Sequence, residues 1–396
     1  MSGEILLRIG IALFAVAAPC AAVVSRRTLF VLLPVAALLM IIGSLLLPGA
    51  ATQVLRHLRT ALTRPLVLLP ILLLIWAGLS FAWTPFPALA TERYLRTAGT
   101  ILITFAALGC LPARVKPTYS NMLPLGVLLA SMATVATMLL SQQTGQPDSE
   151  GGVTLQRAVA GLVALMWPAM TALAARGWGT LAGLLGVCAA GAALLVGAPI
   201  PLAALLIGVA VFSIGFSAPE RLAKILGLGV AGLLLGAPVI ILALDPLSSR
   251  LDGQGFFGLL HLWAEIVKSE GLKLITGHGF DTAVRAMNAG LLPSGAPRGI
   301  LFEIWYELGL VGVGASAVLM WCAFTAAGRM GRLTGGYLMA GLATVLTISI
   351  AGVSISQLWW TTQLAGVALA FAVAIRTQAR ETERVATVNQ RPVLKI

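Results

Sequence analysis

Apolar runs about 20 residues long, separated by short polar turns, follow one another along nearly the whole chain. A run of that length crosses a bilayer as an α-helix, because its backbone polar groups must be paired within the segment. Only 10% of the residues are charged, against about 25% in an ordinary soluble domain. The chain is therefore predicted to be an all-α polytopic membrane protein with about twelve transmembrane helices. The predicted spans are 5–24, 29–48, 65–83, 97–112, 121–141, 157–175, 178–197, 200–217, 223–244, 300–327, 336–355 and 357–375.

The formal net charge of +12 is distributed in a pattern that predicts topology. Basic residues stand singly or in pairs at the ends of apolar runs, which is the positive-inside pattern rather than a nucleic-acid-binding surface. If the membrane is a bacterial inner membrane and both termini are cytoplasmic, every inside loop is basic and the long polar loop is periplasmic. Four outside residues either count against this topology or mark function: Arg26, Arg27, Arg93 and Arg96.

Polarity divides the chain into four segments. These are transmembrane helices one to nine (1–244), a periplasmic loop (245–299), transmembrane helices ten to twelve (300–375) and a cytoplasmic tail expected to be disordered (376–396). Within the loop, residues 255–269 place apolar side chains at helical spacing on one side, which predicts an amphipathic helix at the membrane interface. Gly271 ends this helix, and Gly277-His278-Gly279 is predicted to form a turn.

Two carboxylates begin the tenth span. Glu303 and Glu307 are four residues apart and are therefore predicted to share one helical face. Carboxylates in a membrane helix usually face a cavity or pair with cations, and Arg298 and Arg285 are the candidate partners here. The alternative is that Glu303 acts as a general base.

Arginine residues near the span entrances are candidates for an anion site. Arg157 opens the sixth span, Arg93 precedes the fourth, and Arg285 and Arg298 flank the mouth of the tenth. An arginine in such a position either extends to the lipid headgroups or clamps phosphate oxygens with its planar guanidinium. Several arginines from separated segments on one side of a membrane suit a lipid-linked diphosphate.

The histidines and cysteines define no metal centre. His261 lies in the predicted amphipathic helix and is a candidate catalytic residue, and His278 lies in the glycine turn, although a lone histidine is more often structural. The four cysteines are scattered within apolar runs. No zinc-binding, nucleotide-binding or nucleophile-elbow motif is present, so we expect neither a metal nor a cofactor.

The stretch PRGILFEIWYELGLVG resembles the C-terminal signature of the O-antigen ligase and O-antigen polymerase superfamily. Glu307-Leu308-Gly309 and Gly312 match the end of that signature. Upstream, Trp263, the turn at 277–279, Asp281 and Arg285 are similar to the family pattern, as is Leu155-Gln156-Arg157 before a Trp-Pro span. The hydropathy layout, with one large loop near the C-terminus, is also similar, so the resemblance covers most of the chain.

The resemblance implies transfer or polymerisation of a glycan carried on undecaprenyl diphosphate, with arginines holding the diphosphate and a histidine activating the acceptor hydroxyl. The chain departs from the family pattern at that histidine, whose position is occupied by Arg298, followed by Gly299 in place of asparagine. Arginine stays protonated and cannot act as a base. Either Glu303 or a loop histidine takes over, or the chain binds the lipid-linked glycan without transfer. The nearest counterpart of the family's second arginine is Arg250, at a shifted spacing.

Two functions therefore remain open at this point. The first is a metal-independent membrane glycosyltransferase at the periplasmic face, in which Arg157, Arg285 and Arg298, with Arg93, neutralise the diphosphate. Its acceptor would be lipid A-core or a growing polysaccharide. The second is a non-catalytic or transport component that binds or flips the lipid-linked glycan. Membrane lipids are partners in both cases, and no nucleic acid is expected.

Overall fold

The computed structural model describes residues 2–49, 54, 63–144, 149–248, 255–271, 273–353 and 357–389. Within these ranges the chain is 85% helical and has no β-strand, which confirms the predicted all-α class. The principal helices are α1 (Ser2–Val24), α2 (Arg26–Leu45), α3 (Pro65–Leu79), α4 (Pro87–Cys110), α5 (Met122–Thr144), α6 (Ser149–Ala174), α7 (Gly179–Val196), α8 (Pro199–Ser217), α9 (Pro219–Ser248), α10 (Phe256–Glu270), α11 (Ala283–Asn288), α12 (Ile300–Gly328), α13 (Arg332–Ala351) and α14 (Leu358–Asn389).

Eleven helices in the described part of the chain are long and apolar enough to cross a membrane. The chain is therefore a multi-pass membrane protein, as its sequence predicts. The remaining predicted span, 97–112, overlaps α4, a helix of 24 residues that begins ten residues earlier and ends at Cys110. Charged residues in the first half of α4, Glu92, Arg93 and Arg96, make it more polar than the eleven.

α4 extends from one end of the helical bundle to the other. The carbonyl of Leu89, in its first turn, accepts a hydrogen bond from Arg285 Nη2 at 3.4 Å. The carbonyl of Leu108, in its last turn, accepts one from Arg376 Nη2 at 2.8 Å. We call the end of the bundle that carries α10, α11 and residues 277–299 the loop end. The end that carries the first turn of α1, residues 111–121 and Arg376 is the opposite end.

α6 lies at the centre of the bundle, with 78% of its most apolar stretch buried. It packs against α5, α7, α13 and α14. Gly161 permits the close approach of α14, because Gln363 Nε2 donates to its carbonyl at 3.2 Å and an added Cβ would lie 2.7 Å from the same nitrogen. Small residues at such crossings bring membrane helices together without a side-chain clash.

The amphipathic helix predicted at 255–269 is confirmed as α10. Its apolar side, including Trp263, Ile266 and Val267, is buried against α9 and α12, whereas Leu259 on the predicted apolar side is exposed. α10 therefore covers the end of α9 and the start of α12, and it brings the loop end into a fixed position over the helices.

The C-terminal part of the chain differs from the prediction. A disordered tail was expected from residue 376, but α14 continues to Asn389. Eight of residues 376–389 are arginine, alanine, glutamate or glutamine, which favour helix. Tertiary contacts extend beyond the predicted boundary as well, because Thr377 is buried and the Thr334 hydroxyl donates to Gln378 Oε1 at 2.8 Å.

Candidate functional site

α12 is broken close to its start. Residues Ile304–Leu308 form a π-helical turn, and Gly309 follows with φ +61°, a left-handed conformation that favours glycine. In an unbroken helix the carbonyl groups of residues 306–308 would pair with N–H groups one turn later. Here they accept from other elements: Tyr306 from His278 N–H at 2.8 Å, Glu307 from Gly279 N–H at 2.9 Å, and Leu308 from Trp76 Nε1 at 2.9 Å. N–H groups from α3 and from the glycine turn thus replace the helical hydrogen bonds that the carbonyl groups of residues 306–308 have lost.

The glycine turn can reach the break because it has no side chain at its closest point. Gly277 has φ +73°, and an added Cβ would lie 2.2 Å from the carbonyl oxygen of Glu307. Backbone that leaves regular helix at membrane depth must be buried in protein or line a water-filled cavity. The backbone N–H groups of the turn and the free carbonyl groups of the break therefore pair with each other.

The Glu307 side chain fixes the residues that follow the turn. Its carboxyl group is buried and accepts the N–H of Asp281 at 2.9 Å and the N–H of Ala283, at the start of α11, at 3.1 Å. The sequence suggested pairing with Arg285 or Arg298 as one role for Glu307. In the structure the hydrogen bonds of its carboxyl oxygens come from backbone amides, and Arg285 pairs with Asp281 instead.

The Asp281 carboxylate pairs with two arginines, Arg93 of α4 and Arg285 of α11. Its carboxylate lies 3.6 Å from Arg93 Nε of α4 and accepts from Arg285 Nε at 2.7 Å and from Nη2 at 2.5 Å. Burial raises the pKa of Asp281, and the charges of the two arginines oppose that rise. Asp281 also has φ +61°, a conformation that aspartate tolerates better than most residues. Both arginine side chains stay partly exposed, at 27% and 23%.

Polar side chains after α3 hold the same segment from the other side. Ser80 Oγ accepts the N–H of Phe280 at 2.9 Å, and the hydroxyls of Thr84 and Thr282 are 3.1 Å apart. Neither Ser80 nor Thr84 was identified from the sequence, because a single hydroxyl next to an apolar run gives no signal of a partner 200 residues away. We call residues 277–285, with Arg93 and Glu307, the Asp281 cluster.

His278 stacks on Tyr306 with ring centroids 4.1 Å apart and an interplanar angle of 10°. Its Nδ1 lies 3.1 Å from the Tyr306 carbonyl and its Nε2 lies 2.7 Å from Glu270 Oε2. Because both nitrogens face acceptors, neither is available to take a proton from a substrate hydroxyl. The geometry indicates a structural role for His278.

His261 has a different environment. Its Nδ1 is 2.7 Å from Asp245 Oδ1 at the end of α9, and 49% of its side chain is exposed. A carboxylate on Nδ1 fixes the tautomer in which Nε2 accepts a proton. Asp245, His261 and Glu265 have the spacing of a cation site. However, Lys268 Nζ lies 2.6 Å from Asp245 and 3.1 Å from Glu265, so an ammonium group supplies the positive charge between the two carboxylates.

The other predicted site residues lie apart from the Asp281 cluster or outside the described ranges. Arg157 stacks over the Trp359 ring at 5.7 Å and lines a cavity with Thr154 and Gln363. Arg298 is exposed, and within the described ranges no ion pair includes it. Glu303 is buried in the first turn of α12, and Arg250 lies outside the described residues. Of the predicted arginines, the structure brings together Arg93 and Arg285.

Comparison of this chain with protein-family models, with curated proteins and with solved structures finds no match in any of the three.

Proposed function

We propose that this protein is an inner-membrane glycosyltransferase of the O-antigen ligase or polymerase type. It would move a glycan from undecaprenyl diphosphate to an acceptor, lipid A-core or a growing polysaccharide, at the periplasmic face. The observation that carries the proposal is the Asp281 cluster, in which Arg93 and Arg285 meet on one carboxylate at the loop end with part of each side chain exposed. Guanidinium groups bind phosphate oxygens through paired hydrogen bonds.

The proposed topology has twelve crossings, with α4 as the twelfth and both termini in the cytoplasm. Its support is that α4 contacts Arg285 at one end and Arg376 at the other, as a crossing helix would. Further support is that the opposite end is basic, since it carries Arg8, Arg114, Lys116, Arg176 and Arg376, the charge expected of a cytoplasmic face.

In the proposed reaction the acceptor hydroxyl attacks the anomeric carbon of the glycan. The bond from that carbon to the diphosphate oxygen breaks, and the diphosphate leaves with the electron pair. Arg93 and Arg285 would stabilise the negative charge that develops on the leaving group. The hydroxyl proton goes to a base. Of the candidates, His261 is exposed and held by Asp245, whereas Glu303 is only 2% exposed, so the geometry favours His261.

The test is a transfer assay with purified protein and a lipid-linked glycan. Arg93→Ala and Arg285→Ala should each lower the rate about 10²-fold if the guanidinium acts in the transition state. Arg96→Ala is the matched control, because Arg96 lies one turn from Arg93 on α4 but is 63% exposed and pairs with Glu92. Equal rates for Arg93→Ala and Arg96→Ala would refute the arginine clamp.

One observation favours the second function, a transport component for the lipid-linked glycan. Broken membrane helices are typical of transporters, and α12 is broken at Gly309, close to its start, with the glycine turn packed into the break. A transport component would bind the lipid-linked glycan and move it from one leaflet of the membrane to the other without releasing undecaprenyl diphosphate. The same assay distinguishes the two functions, because only the transferase produces free undecaprenyl diphosphate.

A further inference from the structure

A charged cleft lies at the opposite end of the bundle, away from the Asp281 cluster. It has a volume of about 260 Å³ and is formed by the first turns of α1 and by residues 116–119. The Tyr119 hydroxyl, at 3.4 Å from the Glu4 carbonyl, joins the two walls. The lining residues are Glu4, Ile5, Arg8, Lys116, Thr118 and Tyr119.

The charges of the cleft favour an anion. Lys116 Nζ pairs with Glu4 Oε2 at 2.6 Å and is 43% exposed. Arg8 is exposed, and no hydrogen bond or ion pair joins it to another residue in the part of the chain that the structure describes. The lining thus holds two cations and one carboxylate, with the Thr118 hydroxyl beside them. An arginine and a lysine that face one small space provide the donors that a phosphate group needs.

One edge of the cleft is apolar and faces outward. Ile5 is 54% exposed and Ile9, one helical turn farther along α1, is 45% exposed. Since α1 is a membrane-crossing helix that begins at this cleft, these two side chains extend from the charged groups toward the hydrocarbon region. A ligand that fits both parts is amphiphilic, with a phosphate at Arg8 and an acyl chain along Ile5 and Ile9.

We propose that this cleft binds the phosphate headgroup of an anionic glycerophospholipid such as phosphatidylglycerol. The phosphate lies between Arg8 and Lys116, and one acyl chain follows Ile5 and Ile9. Basic pockets between membrane helices are known to bind acidic lipid headgroups. The proposal does not depend on the glycan-transfer function, because it uses none of the residues of the Asp281 cluster.

The test is native mass spectrometry of the full-length protein in detergent, titrated separately with phosphatidylglycerol, phosphatidylcholine and soluble glycerol phosphate. Wild type should bind phosphatidylglycerol at least tenfold more tightly than the other two. Arg8→Gln should weaken that binding about tenfold to a hundredfold, the effect of losing hydrogen bonds to a charged group. Arg8→Lys should keep most of it, because the positive charge remains. Arg329→Gln, an exposed arginine that does not line the cleft, should bind like wild type.

Three results would overturn the proposal. Equal binding of phosphatidylglycerol and phosphatidylcholine would mean that the phosphate charge is not recognised. Equal binding of glycerol phosphate and phosphatidylglycerol would mean that the site takes a free phosphate compound and not a lipid. Unchanged binding in Arg8→Gln would place the lipid elsewhere. An Ile9→Asn variant checks the acyl contact, since it should weaken lipid binding and leave any glycerol phosphate binding unchanged.

Discussion

Replacing Glu307 with alanine should release the segment that follows the glycine turn. The Glu307 carboxyl group accepts the backbone N–H groups of Asp281 at 2.9 Å and of Ala283 at 3.1 Å, and both residues are buried. Alanine at position 307 leaves these two N–H groups without their acceptor. A buried donor that loses its partner costs about 1–3 kcal/mol. The local opening free energy at each amide should therefore fall by about that amount.

The measurement is hydrogen–deuterium exchange at residues 281 and 283 in detergent-solubilised protein. When exchange follows local opening, a loss of 1–3 kcal/mol corresponds to exchange faster by about 5-fold to 150-fold. Glu307→Gln keeps one acceptor oxygen but turns an amide donor toward the second N–H, so one of the two amides should stay protected. This difference between the two variants separates a hydrogen-bonding role from a purely steric one.

Glu265→Gln is the control for charge and location. Glu265 is also a carboxylate at the loop end, but it is 55% exposed and pairs with Lys268 on its own helix. Exchange at residues 281 and 283 should match wild type in this variant. If those two amides exchange no faster in Glu307→Ala than in Glu265→Gln, Glu307 does not hold the segment and our account of the Asp281 cluster is wrong.

Three further predictions concern the same region. A side chain in the left-handed conformation costs about 1–2 kcal/mol, and Gly277→Ala should lower the free energy of unfolding by more than that, because its Cβ would lie 2.2 Å from the Glu307 carbonyl oxygen. Gly295→Ala is the control, since the nearest atom to its Cβ would be Leu262 Cδ2 at 3.6 Å, and it should change the free energy of unfolding by less than about 0.5 kcal/mol. Equal effects of the two variants in chemical denaturation would contradict this prediction. Trp76→Phe removes the donor to the Leu308 carbonyl and should lower the free energy of unfolding by about 1–3 kcal/mol in the same measurement. Trp178→Phe is the control, because the Trp178 side chain is exposed, and it should not lower the free energy of unfolding by that amount. Because burial raises the pKa of Asp281, the folded state binds its proton more tightly than the unfolded state, and the stability from that proton is full below about pH 4 and is lost as pH rises through the raised pKa. The Tm of the wild type should therefore fall relative to the Tm of Asp281→Asn as the pH rises over that range. A difference in Tm that does not change with pH would show that Asp281 ionises as in the unfolded chain.

Much of the fold was predictable because membrane burial leaves a direct signal in the sequence. Apolar runs of spanning length gave eleven helices that the structure contains, and the period of residues 255–269 gave α10. The predicted boundaries differ from the helix ends where tertiary contacts act against hydropathy. Arg93 shortened the predicted fourth span, although Asp281 pairs with it in the fold, and Arg376 suggested the end of a helix that continues to Asn389.

The candidate site was predictable in residue type but not in pairing. The sequence identified Arg93, Arg285, Glu307 and the glycine turn as unusual in an apolar chain, and it identified His261 as a base candidate. One of its two alternatives paired Glu303 and Glu307 with Arg285 or Arg298. The structure instead pairs Arg285, together with Arg93, with Asp281 and gives Glu307 two backbone amides. Arg157 was grouped with them by charge alone, but it lies in a separate cavity with Trp359.

The sequence by itself determined that the chain is an all-α membrane protein and that its polar groups concentrate in one loop. Hydrophobic burial depends on composition over a window of residues, so it can be read without knowing which segments meet. Only the tertiary structure decided that α12 is broken at Gly309 and that Trp76 and the glycine turn donate to the carbonyl groups of the break. It also decided that Ser80 accepts the N–H of Phe280, in the segment after the turn. A hydrogen bond depends on the positions of two atoms. Trp76 and Leu308 are 232 residues apart in the chain, and no local sequence pattern records that they meet.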